Sequence, residues 1–227
     1  MNQCQIIPVN MGMVSAFLLK GENGRCVLID CGIPGSEKTV LKKMAEAGVK
    51  PEDIQLLIIT HGHSDHMGSA SAMRRITGAK TVIHKLDAGA VRNGKNPEVH
   101  PTNRKGRILG RFITEEISGF EPYEPEIVID GEISLREYGI PGKIIETPGH
   151  TGGSVSTLLE DGSAFVGDAI IGAMIGKGKP EYPMYADSMA DAENSIKMLL
   201  SLPLKMVYIG HGGPFTGEEI KKIRRIP

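Results

Sequence analysis

Thr-His-Gly-His-Ser-Asp-His (60–66) is the stretch whose reading decides the fold. It ends an apolar run, Ile-Gln-Leu-Leu-Ile-Ile-Thr (54–60), that has the length and composition of a buried strand. Two histidines one residue apart, His61 and His63, can face one cation from an extended loop. Asp65 and His66 then turn away as a helix begins, predicted over 65–77, and can reach a second cation. The helix dipole favours a carboxylate in that first turn. Imidazole and carboxylate donors suit Zn²⁺, and they also suit Fe or Mn.

Local donors rarely complete a metal site, so distant partners are expected. His150 in Thr-Pro-Gly-His-Thr (147–151), Asp168 in Phe-Val-Gly-Asp (165–168) and His211 in Ile-Gly-His-Gly (209–212) are the candidates. Each follows or ends a predicted strand beside a glycine, which lets the backbone turn sharply. Five of the seven histidines thus join Asp65 and Asp168 in a set of nitrogen and oxygen donors. That is enough for two divalent metal ions sharing one carboxylate, an arrangement that usually activates water.

The rest of the composition is ordinary. A chain of 227 residues with 40% hydrophobic and 23% charged residues suits a globular protein, read here as one domain over 1–227. A formal net charge of −1 argues against a surface built for nucleic acid or anionic membrane. Aromatic residues at 4% and the absence of Trp leave few base-stacking surfaces. Cys4, Cys26 and Cys31 form no CxxC pair, so neither a disulfide framework nor a zinc–cysteine site is expected. No secretory signal and no transmembrane run are legible, and the cytoplasmic compartment is the expectation.

Two apolar runs, 13–20 and 25–30, flank Gly-Glu-Asn-Gly (21–24) as a hairpin. Ser36 is placed to cap a helix through about residue 48. Short strands are expected at 81–84, 127–129, 132–138, 143–146, 154–159, 163–166 and 206–209, with Asp161-Gly162 as a hairpin turn. Ser188 resembles the start of a capping box for a helix that Pro203 ends, and Thr216 caps a short terminal one. Strands, helices, then strands again, with donors at strand exits, suggest two face-to-face sheets with helices outside. Residues 85–125 interrupt this order as a long insertion. Its part from 103 to 120 reads as a helix with Ile108, Leu109, Phe112, Ile113 and Ile117 on one face. Between Arg92 and Arg111 six basic residues face one acid, Glu98. The apolar stripe is expected to pack on the sandwich; a lid, a homodimer contact or a membrane-surface helix are the other uses.

By these motifs the chain resembles the metallo-β-lactamase-fold hydrolase superfamily, in its glyoxalase II or lactonase-like branch. Five motifs occur in order: Asp30 in Leu-Ile-Asp-Cys-Gly, the 61–66 cluster, His150, Asp168 and His211. The resemblance implies an α+β fold, a four-layer αββα sandwich with metals at one sheet edge. It implies that His61, His63 and His150 hold one ion, that Asp65, His66 and His211 hold another, and that Asp168 bridges them. Asp30 would orient ligands from behind. The bridging position is Asp168 and not cysteine, unlike the zinc β-lactamases with a cysteine ligand. Glyoxalase II enzymes carry a longer C-terminal helical region than the short tail after His211. Acyl-homoserine lactonases have a tyrosine where this chain has Ile171.

The function expected is hydrolysis of an ester-like bond (thioester, lactone or phosphoester) in a small-molecule substrate, by hydroxide bridging the two metals. Asp65 or Asp168 would pass a proton to the leaving group. The alternatives are a mononuclear iron oxygenase of a thiol or persulfide, an RNA/DNA phosphodiesterase, and a non-catalytic binding module using the basic insertion. Outside the donor set, His84 at the end of Thr-Val-Ile-His is a candidate substrate contact or a structural histidine. His100 reads as a loop residue and Cys31 as a small buried side chain.

Overall fold

The apolar runs build two β-sheets, and the computed structural model describes residues 4–110, 119–173 and 176–223. Strands β1 (Gln5–Asn10), β2 (Ser15–Lys20) and β3 (Cys26–Ile29) form an antiparallel meander. Helix α1 (Glu37–Glu46) precedes β4 (Ile54–Ile58), and α2 (Ser64–Met67) with α3 (Ala70–Thr77) precede β5 (Lys80–His84). Helices α4 (Ala88–Asn93) and α5 (Arg104–Gly110) come before β6 (Ile127–Ile129). Strands β4, β5 and β6 add to β3 in parallel, completing the first sheet in the order β1-β2-β3-β4-β5-β6.

The second sheet begins with β7 (Ile133–Ser134), β8 (Gly142–Glu146), β9 (Val155–Leu159) and β10 (Ser163–Phe165), each antiparallel to the last. Helix α6 (Met189–Ser201) crosses to β11 (Met206–Tyr208), parallel to β10, and β12 (Phe215–Thr216) and α7 (Gly217–Ile220) follow. Its order is β12-β11-β10-β9-β8-β7.

Side-chain alternation turns these sheets into four layers. On β2, Phe17 and Leu19 face the second sheet, while Ala16 and Leu18 face the helices. Between the sheets, Phe17, Leu19, Ile29, Leu56 and Ile58 meet Ile144, Val155 and Phe165. The rings of Phe17 and Phe165 lie 5.1 Å apart, and Phe165 stacks on Tyr208 at 4.8 Å. On the outer face of the first sheet, Leu18, Leu28, Leu57 and Ile83 cover Val40 and Met44 of α1 and Met73 of α3. On the other side Ala164 and Val207 pack on Ile196 and Leu199 of α6. Strands buried on both faces explain why they read as continuous apolar runs. The expected αββα sandwich is the fold.

Several local expectations change. The helix expected over 65–77 is two, because the 32–36 loop crosses it at Gly68. A Cβ there would lie 2.4 Å from Pro34 Cδ, and Ser69 Oγ donates to the Ile33 carbonyl at 2.7 Å. Ser36 stands at the N-cap of α1 in helical conformation and makes no side-chain cap bond. Ser188 and Thr216 do cap, each accepting from the backbone N–H three residues on. Strand β1 was hidden in the sequence by Pro8, which is tolerated because β1 is an edge strand. In the insertion, α4 was not anticipated and α5 is described only over Arg104–Gly110. Phe112, Ile113 and Ile117 lie outside the described residues. Ile108 is 52% exposed and is not packed on the sandwich.

The return from the insertion is anchored by Glu126. Its carboxylate accepts from the Thr81 N–H at 2.9 Å, from Thr81 Oγ1 at 2.8 Å and from the Arg74 guanidinium, which lies over the Tyr123 ring. Burial raises the Glu126 carboxyl, but these donors outweigh it and lower it to about 2. A group depressed on folding stabilises above its unfolded pKa and loses that effect as pH falls towards its folded value. Glu126→Gln is therefore expected to lower Tm by ~2–4 °C at pH 7. The gap from wild type should narrow as pH falls from about 4.5 towards about 2. Thermal melts at a series of pH values check this, and a constant gap would refute it.

Candidate metal centre

Parallel pairing decides where the donors emerge. Because β3, β4 and β5 are parallel, Asp30, the loop carrying His61 and His63, and the turn after His84 leave the first sheet at one edge. Strands β10 and β11 are parallel as well, and β8 runs in the same sense through two antiparallel steps. His150, Asp168 and His211 therefore leave the second sheet at a common edge. Gly210 makes room for the meeting: a Cβ there would lie 2.4 Å from both Asp168 Oδ1 and His66 Cε1.

All seven donors named from the sequence come together at this edge. His150 Nε2 lies 3.2 Å from His61 Nε2 and 3.0 Å from His63 Nδ1, so three ring nitrogens converge on one point. Asp65 Oδ2 lies 3.2 Å from His211 Nε2 and 4.0 Å from His66 Nε2, forming a second convergence. Asp168 stands between them. Its Oδ1 is 3.4 Å from His66 Nε2, and its Oδ2 is 3.3 Å from His211 Nε2 and 3.8 Å from His150 Nε2.

The hydrogen bonds behind the rings fix which nitrogen carries the proton. His150 Nδ1 donates to the Tyr185 carbonyl at 2.8 Å and His211 Nδ1 to the Met13 carbonyl at 2.7 Å. His66 Nδ1 donates to Asp30 Oδ2 at 2.8 Å. His61 Nδ1 lies 3.0 Å from Thr60 Oγ1, whose own proton goes to Asp30 Oδ2 at 2.8 Å. In the neutral rings, each of these four Nε2 atoms is left with a lone pair aimed inwards. Asp30 thus supports one histidine in each convergence, while its Oδ1 accepts the Thr60 N–H at 2.9 Å. It holds a left-handed backbone, φ +58°, the sole positive φ at a non-glycine among the described residues.

Electrostatics divides the centre into two halves. Burial and the neighbouring His150 lower His63 to about 3, and burial with His66 lowers His61 well below the usual imidazole range. Burial opposes charge on His211 too, but Asp168 and Asp65 outweigh it and raise that ring to about 10. His66 is raised by Asp168 and Asp30 against the same penalty, and Asp168 and Asp65 are lowered in turn. Burial thus disfavours charge on His61 and His63, whereas the carboxylates of Asp168, Asp65 and Asp30 favour it on His66 and His211.

A cation fits this arrangement better than protons do. His66 Nε2 and Asp168 Oδ1 are buried with no hydrogen-bond partner, and an orphaned buried polar atom costs ~1–3 kcal/mol. A metal ion between them would satisfy both. Three groups that could each hold an ion form here: His61, His63 and His150; His61, His66 and Asp168; and Asp65, His66 and His211. With no thiolate among them, these donors suit divalent ions of the Zn, Fe or Mn kind.

The family model described as the metallo-beta-lactamase superfamily matches residues 9–211. The chain belongs to this superfamily. The match takes in every donor from His61 to His211. Among this superfamily member's relatives, the probable metallo-hydrolase YflN of Bacillus subtilis is 26% identical over 231 residues, covering 95% of this chain and 86% of the relative. The hydroxyacylglutathione hydrolase GloC of Haemophilus influenzae is 25% identical, covering 95% of this chain and 93% of its own length. Among solved structures, the metallo-beta-lactamase family protein TTHA1429 of Thermus thermophilus superposes with a TM-score of 0.70 at 23% identity. That alignment covers 96% of this chain and 77% of the other, and it establishes likeness of fold.

The remaining candidates take other places. His84 Nε2 lies 2.8 Å from Glu146 Oε1 and its Nδ1 accepts the Leu86 N–H at 3.3 Å, so the ring ties the two sheets together. His100 is exposed, and Cys31 is fully buried with its thiol towards the His66 carbonyl. Thr60 and the Tyr185 carbonyl hold the outer nitrogens of His61 and His150 and were missed in these roles. Asp87, which accepts the Gly62 N–H between His61 and His63, was missed as well. Asp87 follows β5 at the same edge that Asp30 and His61 leave, and that shared exit is the signal that could have found it. No helix among the described residues is long and apolar enough to cross a membrane.

Proposed function

We propose that this metal-dependent hydrolase works with two divalent ions, Zn²⁺ first among them, on an ester-like bond (thioester, lactone or phosphoester) of a small molecule. The observation that carries this reading is Asp168, whose two oxygens reach histidines of both convergences. A structural site needs one closed donor set, whereas a shared carboxylate is suited to a pair of ions. When bound, such a pair supplies a nucleophile at neutral pH and polarises the substrate oxygen. His61, His63 and His150 would hold one ion, Asp65, His66 and His211 the other, and Asp168 would be shared between them.

The protein's own part is orientation and proton handling. Met13, Tyr185 and Asp30 hold the protons on the outer nitrogens of their rings, so none of these rings has to turn or change tautomer. Asp65 is the more open of the two central carboxylates, its side chain 37% exposed against 9% for Asp168. That exposure supports Asp65, more than Asp168, as the group that would pass a proton to the leaving group. The free, buried thiols of Cys4, Cys26 and Cys31 fit a reducing cytoplasm.

Metal analysis of the purified chain should give two ions per monomer. Activity against a panel of thioesters, lactones and phosphodiesters should disappear on chelation and return with Zn²⁺, Mn²⁺ or Fe²⁺. Full activity with one ion per chain, or oxidation of a thiol by a single iron without hydrolysis, would overturn the reading.

A further inference from the structure

The turn after β5 carries a carboxylate that the proposed chemistry does not use. Asp87 is buried, 5% exposed, and stands at the N-cap of α4. An aspartate there ordinarily caps its own helix by accepting from an N–H two or three residues on. This one makes no cap bond. Its oxygens reach across to the two donor loops instead. Oδ2 accepts the Gly62 N–H at 2.7 Å and the Thr151 hydroxyl at 2.7 Å, and Oδ1 accepts the Gly153 N–H at 3.1 Å. Gly62 lies between His61 and His63, and Thr151 follows His150. The sequence leaves room for the carboxylate, since a Cβ on Gly153 would lie 2.5 Å from Asp87 Oδ1.

We infer that Asp87 is a positioning residue for the three-histidine half of the centre, locking the loop of His61 and His63 to the loop of His150. Those loops leave different sheets, and His150 Nε2 must stay within 3.0 Å of His63 Nδ1 for one cation to take all three rings. A buried carboxylate demands its donors, so the loops cannot drift apart without stranding it. The Thr151 hydroxyl, 2.9 Å from Ser154 Oγ, extends the lock into the start of β9. Among the described residues Asp87 makes no hydrogen bond to Asp65, His66 or His211, so its influence is confined to one half.

This inference rests on the proposed ligand assignment, and its test has an arm that needs no metal. Amide hydrogen exchange on the metal-free full-length chain reads the lock itself. In Asp87→Asn the Gly62 and Gly153 amides should exchange at least ~10-fold faster while the amides of β3 and β4 stay protected. Stepwise Zn²⁺ titration against a chromophoric chelator reads the consequence. Asp87→Asn should weaken one of the two binding steps ~10–100-fold and leave the other within about threefold, and Thr151→Val should weaken the same step less. Unchanged exchange at Gly62 and Gly153 would overturn the lock. So would equal weakening of both steps in proportion to a lower Tm of the metal-free protein, the mark of ordinary fold damage. A wild-type chain that takes up no Zn²⁺ would instead sink the ligand assignment, and the exchange arm would still decide whether Asp87 holds the loops together.

Discussion

Asp168→Ala should lower metal content at both positions and cut turnover by several orders of magnitude while the sandwich stays folded. Asp168 lies within 3.8 Å of ring nitrogens on His66, His150 and His211, so its loss removes anionic charge from both convergences at once. On the proposed assignment, in which Asp168 serves both ions, loss of any other single donor would leave one of the two coordination spheres intact. The fold should survive because the three apolar clusters do not include Asp168. Its buried carboxylate is itself expensive to hold without a cation. Elemental analysis, kcat and a thermal melt of the metal-free variant check the three parts. Near-native kcat at full metal content would remove Asp168 from the mechanism.

Asp30→Asn should weaken both positions ~10–100-fold, the usual scale for groups that orient ligands from behind. Asparagine suits the test because it tolerates the left-handed backbone that Asp30 adopts, so the change isolates the lost acceptor. Asp30 Oδ2 receives His66 Nδ1 directly and the Thr60 hydroxyl that sits behind His61. Each convergence therefore loses the fixed tautomer of one ring. Thr60→Val interrupts only the branch to His61 and should weaken a single step. Stepwise titration against a chelator separates these patterns, and a Thr60→Val effect as broad as that of Asp30→Asn would refute the branching.

The donor set was legible because metal chemistry limits the residue types and strand exits limit where they stand. His150, Asp168 and His211 could be picked out singly since each sits beside a glycine after an apolar run. Most strands were legible for a related reason. Burial on two faces leaves a continuous apolar signature at β2 and β3 and a nearly continuous one at β4. The edge strands β1 and β12 were not read. What escaped was set by contacts distant in sequence. The break between α2 and α3 comes from Pro34 pressing on Gly68, while the local helical pattern runs on without interruption. Asp87 looks locally like a helix cap, and only donors from residues 62, 151 and 153 reveal its other use. In the insertion, an apolar stripe suggested packing for Ile108, but periodicity reports a face and not what covers it.

The division of donors between the sheets has a consequence for how such a chain is made. On the proposed assignment, His61, His63, Asp65 and His66 belong to the first sheet's half, and His150, Asp168 and His211 to the second. Neither half, on its own, owns a finished coordination sphere. During synthesis the amino-terminal half emerges with a fragment of the site and cannot trap an ion tightly. Capture waits until β8 to β11 have closed over it, when the donor geometry can discriminate between ions. On that assignment the ions would tie together two halves of the polypeptide that share no strand, and a chelator would lower the melting temperature of the still-folded sandwich as well as its activity.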